Sequence, residues 1–277
     1  MITEMIIPNT HYGVLEQNFP ASDLESAAEQ ISNLGFAVLD GGYDASELKA
    51  ISDDFERTRQ QYIEEHGKDH LRNIGELHTV RAPLTRGGKS FLQLALNQRL
   101  LTVVNMLIPG QFILNQQNGV INPPQESYSQ GAWHRDLPYQ HFVSSRPLAV
   151  NALFCVDEFT LENGATFVLP ASHKAEPLPS VDYIARNAMQ VTAPAGNYIL
   201  LDCMLFHSGG FNRTKRERRA VNHVFNIPFF KQQINIPMNM RDVALTEEQR
   251  KILGFGFSEP ATVANYLASR SSVDEVY

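Results

Sequence analysis

Cysteine is scarce in this sequence, and long apolar runs are absent. Only Cys155 and Cys203 occur among 277 residues, too few for a disulfide framework or for a metal site built from thiolates. We expect both as small, buried hydrophobic side chains. No apolar run approaches the roughly 20 residues that span a bilayer, and residues 1–10 lack the pattern of a signal peptide. These absences predict a soluble, cytoplasmic protein with no membrane partner.

Basic residues are outnumbered by acidic ones. The chain has 23 lysines and arginines against 30 aspartates and glutamates, which gives a formal net charge of −7. Because nucleic-acid binding requires a basic face that neutralises phosphates, nucleic acid is not predicted as a partner. The basic cluster over 213–219 is short and contains Glu217, as is typical of a solvated turn with one or two functional arginines.

The remaining composition is that of an ordinary globular protein, with 43% hydrophobic and 19% charged residues. The length suits one large domain, and we predict a single domain over 1–277. Within it we expect a helical buttress with one or more strands over 1–110, a β-rich core over 111–230 and a C-terminal extension over 231–277. The oligomeric state is left open.

Capping residues mark the predicted helices. A side chain at the N-cap and a Glu or Gln three residues later satisfy each other's backbone amides, and three such pairs precede the predicted helices. They are Ser22 with Glu25, Asp44 with Glu47 and Thr246 with Gln249, and they predict helices over 23–34, over 45–66 and from 247 onward. A further helix is predicted over 91–107, before Pro109, and a short strand over 36–39.

After residue 110 the chain reads as many short strands separated by turn residues. Such a series predicts an antiparallel sandwich or jelly roll, mainly β, with the N-terminal helices packed on its outside. The predicted strands are 112–121, 130–135, 148–156, 165–169, 188–192, 198–206 and 219–227.

One histidine–carboxylate pair is the first candidate for chemistry. In an extended segment residues i and i+2 point to the same side, so His134 and Asp136 project together. A third candidate, His207, ends an apolar strand just before 208–210. Two histidines and one carboxylate form the facial triad of non-haem iron(II) oxygenases. We therefore predict a metal site at His134, Asp136 and His207.

The three predicted ligands leave coordination positions open. A 2-oxo acid can fill two of them and O₂ the last, whereas zinc competes because hydrolases also use His₂-carboxylate sites. No His-Glu-x-x-His segment is present, so iron is favoured. A bound 2-oxo diacid also needs a group for its distal carboxylate, and arginine binds carboxylates with two parallel hydrogen bonds. Periodicity alone does not choose between Arg218 and Arg219, and either can belong to a solvated pair beside Glu217.

Three stretches carry a family resemblance. They are Trp133-His134-Arg135-Asp136, then Asn163-Gly164-Ala165 through Leu169-Pro170-Ala171-Ser172-His173-Lys174, and His207-Ser208-Gly209-Gly210-Phe211-Asn212-Arg213-Thr214 followed by Arg218. In order and spacing over residues 110–225 they resemble the phytanoyl-CoA dioxygenase family of 2-oxoglutarate oxygenases. Two positions depart from the family pattern. Ser208-Gly209 reverses the usual Gly-Ser, which removes or replaces a serine contact to 2-oxoglutarate, and Ala171 stands where the family usually has glycine.

The resemblance implies a double-stranded β-helix and iron(II) held by the triad. It also implies that Arg218 grips 2-oxoglutarate, that O₂ is the second co-substrate, and that the strand with Gln116 and Asn118 runs along the pocket, with Asn118 near the co-substrate. If alternate residues of 148–156 face inward, Asn151 bonds to a ligand there, or else to backbone. Tyr139 and His141 are expected at the pocket mouth and Arg81 in another wall, which suits a polar or anionic small molecule.

Three functions compete for these residues. The leading one is an iron(II)- and 2-oxoglutarate-dependent oxygenase that hydroxylates an unactivated C–H bond of a small molecule in a biosynthetic or catabolic pathway. The alternative is a cupin-like isomerase or hydrolase that keeps the metal ligands and does not need Arg218. The third is a non-catalytic ligand-binding jelly roll, which the complete set His134, Asp136 and His207 disfavours. Fold alone does not decide among them.

Overall fold

Two antiparallel sheets form the centre of the fold. In the computed structural model, which describes residues 7–137 and 139–271, the six-stranded sheet has the order β1-β7-β4-β9-β3-β2 and the three-stranded sheet the order β6-β5-β8. The strands are β1 Phe36–Asp40, β2 Thr79–Arg81, β3 Ile113–Asn122, β4 Ala149–Cys155, β5 Thr166–Val168, β6 Met189–Val191, β7 Asn197–Asp202, β8 His207–Ser208 and β9 Arg218–Asn226. This arrangement confirms the predicted jelly roll.

Helices flank the sheets at both ends of the chain. They are α1 Asp23–Leu34, α2 Ala45–His66, α3 Lys68–Asn73, α4 Lys89–Ala95, α5 Gln98–Leu107, α6 Val181–Asn187, α7 Ile236–Asn239, α8 Glu247–Ile252 and α9 Val263–Ser271, with 3₁₀ turns at Pro83–Arg86, Ser129–Gly131 and Ser172–Lys174. Among the described residues, no helix combines the length and the apolar character that crossing a bilayer requires.

Two of the three predicted capping boxes form completely. The Asp44 side chain accepts from the backbone of Glu47, whose side chain accepts from Asp44 N, and Thr246 with Gln249 does the same. At α1 only half of the box forms. Ser22 Oγ accepts from Glu25 N at 3.2 Å, but the Glu25 carboxylate accepts from Ala21 N instead of from Ser22.

The helix predicted over 91–107 is wrong, because the chain breaks into α4 and α5. Asn97 caps α5, and its Oδ1 accepts from Leu100 N at 3.1 Å. Its Nδ2 donates to Gly41 O at 2.9 Å, a contact 56 residues away in the chain. An asparagine with this long-range partner favours a cap over a helix interior.

The strands predicted over 130–135 and 198–206 also need correction. The first is replaced by a 3₁₀ turn and an isolated bridge at His134. The second ends at Asp202, where the chain turns, and resumes as β8. Asp202 makes that turn through both its side chain and its carbonyl, which accept from Met204 N and Leu205 N at 2.8 Å.

The two faces of the six-stranded sheet differ in character. On one face, Val150, Phe154 and Phe225 join a buried apolar cluster with Ile31 of α1 and Phe55 of α2. Residues on the opposite face of the same strands lie toward the three-stranded sheet. Side chains alternate along a strand. In β4 and β9, the residues next to the helix-facing ones therefore point into the interior between the two sheets.

Candidate metal centre

The two candidate histidines sit opposite one another on adjacent chain segments. His134 N donates to His207 O at 3.0 Å, and His207 N donates to His134 O at 3.1 Å, which makes an isolated antiparallel bridge. Asp136 N donates to Cys203 O at 3.0 Å and extends the pairing. Backbone pairing therefore brings His207 beside the His134–Asp136 pair, although the two are about seventy residues apart in the chain.

One ligand atom from each of the three side chains lies within 4.8 Å of the others. Asp136 Oδ1 is 3.6 Å from His207 Nε2 and 3.9 Å from His134 Nε2. Ligand atoms about 2 Å from a shared ion are separated by such distances. In the part of the chain that the structure describes, no other trio of His, Cys, Asp or Glu meets this spacing. The arrangement fits a single metal ion.

Backbone carbonyls orient both imidazoles. His134 Nδ1 is 2.8 Å from Ala132 O, and His207 Nδ1 is 3.0 Å from Leu205 O. Since a carbonyl only accepts, Nδ1 of each ring carries the proton and donates. The lone pair of each Nε2 is thereby left free on the side of Asp136, as metal-ligating histidines require.

The Asp136 carboxylate is held from its other side by Asn151. Asn151 Nδ2 donates to Asp136 Oδ2 at 2.7 Å, so Oδ1 is the oxygen presented to the histidines. The sequence predicted that Asn151 bonds to a ligand or to the backbone. The amide nitrogen of Asn151 instead donates to the Asp136 carboxylate. The Asn151 Oδ1 atom is buried without a partner among the described residues. If Asn151 contacts a ligand, as expected, Oδ1 is the atom left to accept a hydrogen bond from it.

The charges of the three side chains are coupled. Burial alone would raise the pKa of Asp136, but the charge and hydrogen bond of His207, aided by His134 and Asn151, lower it. Burial alone would lower the pKa of His207, but the Asp136 carboxylate raises it. The pKa of His134 is lowered by burial and by the charge of His207. Asp136 is thus ionised at neutral pH, as a cation site requires.

Arg218 lies in a small cavity next to these ligands. Its side chain is only 3% exposed, and its Cζ is 3.8 Å from the centroid of the Phe159 ring. Nη2 is 3.4 Å from the Tyr128 hydroxyl, whereas Nε and Nη1 have no partner in the described protein. Burial lowers the pKa of Arg218. A buried guanidinium without a carboxylate partner is costly, and an anion in this cavity would offset that cost.

Arg219 points to the opposite side of β9. Its guanidinium binds Asp157 with bonds of 2.9 and 2.7 Å and Glu56 of α2 at 3.0 Å. Its pKa is raised, chiefly by the hydrogen bond with Asp157. The charge of Arg219 is therefore fully compensated on the helix side of the sheet.

A family model for phytanoyl-CoA dioxygenase matches residues 32–220. The chain belongs to the phytanoyl-CoA dioxygenase family. The uncharacterized protein Rv1501 of Mycobacterium tuberculosis is 32% identical over 232 residues, which cover 82% of this chain and 84% of that protein. Dioxygenase olcK of Penicillium canescens is 29% identical over 217 residues, with 70% and 69% covered.

Solved structures share the fold at lower identity. EctD from S. alaskensis, crystallised with 2-oxoglutarate and 5-hydroxyectoine, aligns with a TM-score of 0.64 at 20% identity over 78% of this chain and 81% of that chain. SnoN, an α-ketoglutarate-dependent epimerase from nogalamycin biosynthesis, aligns with a TM-score of 0.58 at 20% identity, covering 74% and 81%. These likenesses support the jelly-roll architecture.

A larger cavity of about 520 Å³ adjoins the candidate metal ligands. Gln116, Asn118 and Arg81 all line it, together with His134 and Asp136. Arg81 is bound by Glu76, with Nε 2.8 Å from Oε2 and Nη2 2.5 Å from Oε1. The positive charge at this wall is thereby neutralised by the protein itself.

Asn118 was expected beside the co-substrate, and the structure places it in the wall of this larger cavity. The smaller cavity that Arg218 lines does not include Asn118 among its walls. Its Nδ2 donates to Gln233 Oε1 at 3.2 Å, and its Oδ1 is buried without a partner in the described protein. Asn118 is on the same face of β3 as Gln116 and Val120, and that face extends past both cavities.

Tyr139 and His141 are not among the residues that line either cavity. The Tyr139 side chain is 65% exposed, and its ring stacks on Phe142 with centroids 6.0 Å apart. Leu137 packs on Cys203 and Met204, whereas Tyr139 and His141 are exposed. Their expected position at the pocket mouth stays a prediction.

Sequence reasoning missed several residues of the two cavities. Asn222 and Asn226 face inward from β9, and Thr166, Tyr128 and Gln130 complete the walls. A signal for the β9 residues did exist. Val221 and Phe225 are apolar residues of the helix-facing side, so their alternates, Arg218 included, belong to the interior. Tyr128 and Gln130 lie at the start of and within a 3₁₀ turn, where the alternation of strands does not apply.

One departure from the family pattern has a conformational explanation. Ala171 adopts φ 61° and ψ 5°, in the left-handed region, where glycine is the favoured residue. The turn forms with alanine in place of the family's usual glycine, and Ala171 N stabilises it by donating to Leu34 O at 2.7 Å. Alanine at this position is tolerated at a conformational cost.

Proposed function

We propose that this family member is a mononuclear iron(II) oxygenase that uses 2-oxoglutarate and O₂ to hydroxylate a C–H bond of a small molecule. The observation that carries the proposal is the shared cavity of three metal-ligand side chains and an unpaired arginine. His134, Asp136 and His207 converge on one point, and Arg218 lines the same small cavity with free N–H groups.

The donor set fits iron(II). Two imidazoles and one carboxylate are the ligands of non-haem iron oxygenases and leave positions open for co-substrates. Proteins of similar fold were crystallised with a metal ion, and two of them also with the 2-oxo acid. They are EctD with bound Fe, SnoN with Fe³⁺ and α-ketoglutarate and HygX with nickel and 2-oxoglutarate. When bound, iron and 2-oxoglutarate supply the activation of O₂, while the protein positions the substrate.

Arg218 separates this proposal from a cupin-like isomerase or hydrolase. A metal site that takes no 2-oxo diacid has no use for a buried arginine whose Nε and Nη1 lack partners. The distal carboxylate of 2-oxoglutarate would satisfy both groups with charge-assisted hydrogen bonds. The unpaired guanidinium therefore supports a dicarboxylate co-substrate.

Asp136 favours oxygen transfer over halogenation. Its carboxylate is ionised and buried beside both histidines. A halide ion entering the same site would meet this negative charge at close range, which disfavours its binding. The expected product accordingly carries a new oxygen atom rather than a halogen.

The substrate we propose is an uncharged, hydrogen-bonding small molecule. Asn118, Asn222 and Asn226 line the larger cavity, and their Oδ1 atoms are buried without a partner in the described protein. These acceptors match hydroxyl or amide N–H groups. The basic residues of the lining already have partners: Glu76 binds Arg81, Lys231 Nζ is 3.1 Å from Glu259 Oε1, and Arg135 donates to backbone carbonyls. The cavity therefore offers little to an anionic substrate such as an acyl-CoA ester. Hydroxyl-rich molecules fit the cavity better than acids.

The test is succinate release by the iron(II)-loaded enzyme across a panel of neutral polyols and glycosides, matched carboxylic acids and acyl-CoA esters. Isotopically labelled O₂ then reports the fate of oxygen in the product. Release stimulated by a neutral compound, with label in a new hydroxyl group, is the expected result. Inversion of a stereocentre without label would retain 2-oxoglutarate use but overturn hydroxylation. No release with any class would count against the oxygenase assignment.

A further inference from the structure

Tyr128 and Gly209 meet at the side of the small cavity where Arg218 lies. We propose that the Tyr128 hydroxyl is a second anchor for the distal carboxylate of 2-oxoglutarate, and that residue 209 is glycine to make room for it. This inference rests on the proposed function. It assigns a role in co-substrate binding to a residue outside the metal ligands and outside the strand that carries Arg218.

The position of the Tyr128 hydroxyl matches this role. It lies 3.4 Å from Arg218 Nη2, and both side chains line the cavity that His207 also borders. A phenol oxygen that accepts from a guanidinium N–H keeps its own proton for donation. Within the described residues, the hydroxyl has no hydrogen-bond partner other than Arg218. An anion that binds the free N–H groups of Arg218 would lie within reach of this second donor.

Gly209 is required by space and not by backbone conformation. Its φ is outside the left-handed range, so any residue could adopt its backbone geometry. A Cβ at this position would lie 2.1 Å from the Tyr128 hydroxyl oxygen and 2.8 Å from Tyr128 Cζ, which no real contact allows. The Tyr128 hydroxyl thus occupies the volume that a side chain at position 209 would need, including the serine of the family pattern.

The loop that carries Tyr128 is fixed to β8 at this point. Gly209 N donates to Gln130 O at 2.7 Å, and Ser208 Oγ donates to Gly131 O at 3.0 Å. These bonds hold the tyrosine against the cavity. Burial raises the pKa of Tyr128, and the phenol therefore remains protonated and able to donate at neutral pH.

The first test is Tyr128→Phe, with Tyr183→Phe on exposed α6 as the matched control. Affinity is measured without O₂ on the iron(II)-loaded protein, by calorimetry and by the visible absorption of the bound 2-oxo acid. Two probes are compared, 2-oxoglutarate and pyruvate, because pyruvate lacks the distal carboxylate. A lost hydrogen bond to a charged group predicts about tenfold or greater weakening for 2-oxoglutarate. Pyruvate binding should be unchanged, and the control should match the unmodified protein with both probes.

A second pair of variants tests the role of Gly209. Gly209→Ser should displace Tyr128 and weaken 2-oxoglutarate alone, whereas Gly209→Ser combined with Tyr128→Ala should recover part of the affinity, since a hydroxyl again faces Arg218. Unchanged affinity in Tyr128→Phe, or equal losses for both probes, would overturn the inference. If the unmodified protein bound neither probe, the proposed function itself would fail, which is a distinct outcome.

Discussion

Arg218 and Arg219 are consecutive residues of β9, yet their guanidinium groups lie on opposite faces of the sheet. Arg218 is buried in the small cavity with two unpartnered nitrogen atoms, and Arg219 binds Asp157 and Glu56 on the helix side. Strand alternation produces this separation. It leaves Arg218 with N–H groups that have no protein partner and places Arg219 in a structural ion pair.

Arg218→Ala is expected to weaken 2-oxoglutarate binding by ~2–5 kcal/mol, because truncation of a buried, hydrogen-bonded charge pair costs that much. Calorimetric titration of the iron(II)-loaded protein in the absence of O₂ measures it. Arg219→Ala is the neighbouring control. It should leave 2-oxoglutarate affinity unchanged and lower the free energy of unfolding by about 1 kcal/mol. Similar binding losses in both variants would contradict the assignment of Arg218.

Asn151→Ala is expected to lower metal affinity about 10- to 100-fold, the usual effect of removing a group that orients a metal ligand. The variant loses the bond from Asn151 Nδ2 to Asp136 Oδ2. Asn222→Ala is a matched control, since Asn222 also lines the small cavity and makes no hydrogen bond to Asp136. Competition with a chelator reports iron(II) affinity, and equal affinities in the two variants would refute the role of Asn151.

Ala171→Gly should stabilise the protein by about 0.5–1 kcal/mol. The left-handed conformation of Ala171 costs roughly 1–2 kcal/mol, and glycine removes this cost. Part of the stabilisation is offset because glycine has greater conformational freedom in the unfolded chain. The side chain is exposed, so little packing is lost. Ala28→Gly within α1 should instead cost about 1 kcal/mol. Urea unfolding measures the free energy of unfolding of both variants. Destabilisation by Ala171→Gly would contradict the explanation of this turn.

Asp202 makes stability depend on pH. Burial raises its pKa to about 6 from an ordinary value of 3.8, against the hydrogen bond from Met204 N. The folded state therefore holds a proton that the unfolded state releases between about pH 4 and pH 6. The free energy of unfolding falls as the pH rises through this window, by at most about 3 kcal/mol.

Asp202→Asn removes that penalty while its Oδ1 can still accept from Met204 N. The variant should exceed the unmodified protein in unfolding temperature near pH 8, and the difference should disappear near pH 4. Thermal unfolding followed by circular dichroism across this range measures both. A difference that is independent of pH would show that ionisation of Asp202 is not its cause.

The candidate metal ligands could be predicted from the sequence because their signal is local. His134 and Asp136 share a side through the alternation of extended chain, and His207 ends an apolar run. The inward direction of Arg218 was implied by Val221 and Phe225, although it required knowing which face meets the helices. The pairing that places His207 opposite His134 is a long-range contact, and no local pattern in the sequence predicts it.

Other features depend on contacts that no local pattern encodes. The break between α4 and α5 arises from the bond of Asn97 to Gly41, across 56 residues. The position of Tyr128 depends on empty space at Gly209, which is distant in sequence. Tyr139 and His141 follow a metal ligand directly but lie outside the cavity walls, because proximity along the chain does not fix direction after a turn.

The central claim is that the His134–Asp136–His207 centre and Arg218 together bind iron(II) and 2-oxoglutarate. The most direct measurement is the visible spectrum of the unmodified protein without O₂, before and after 2-oxoglutarate is added to the iron(II)-loaded form. We expect a weak charge-transfer band that saturates with 2-oxoglutarate and is lost in His207→Ala, whose fold persists by circular dichroism. A protein that binds iron(II) but gives no band and no calorimetric signal with 2-oxoglutarate would contradict this claim.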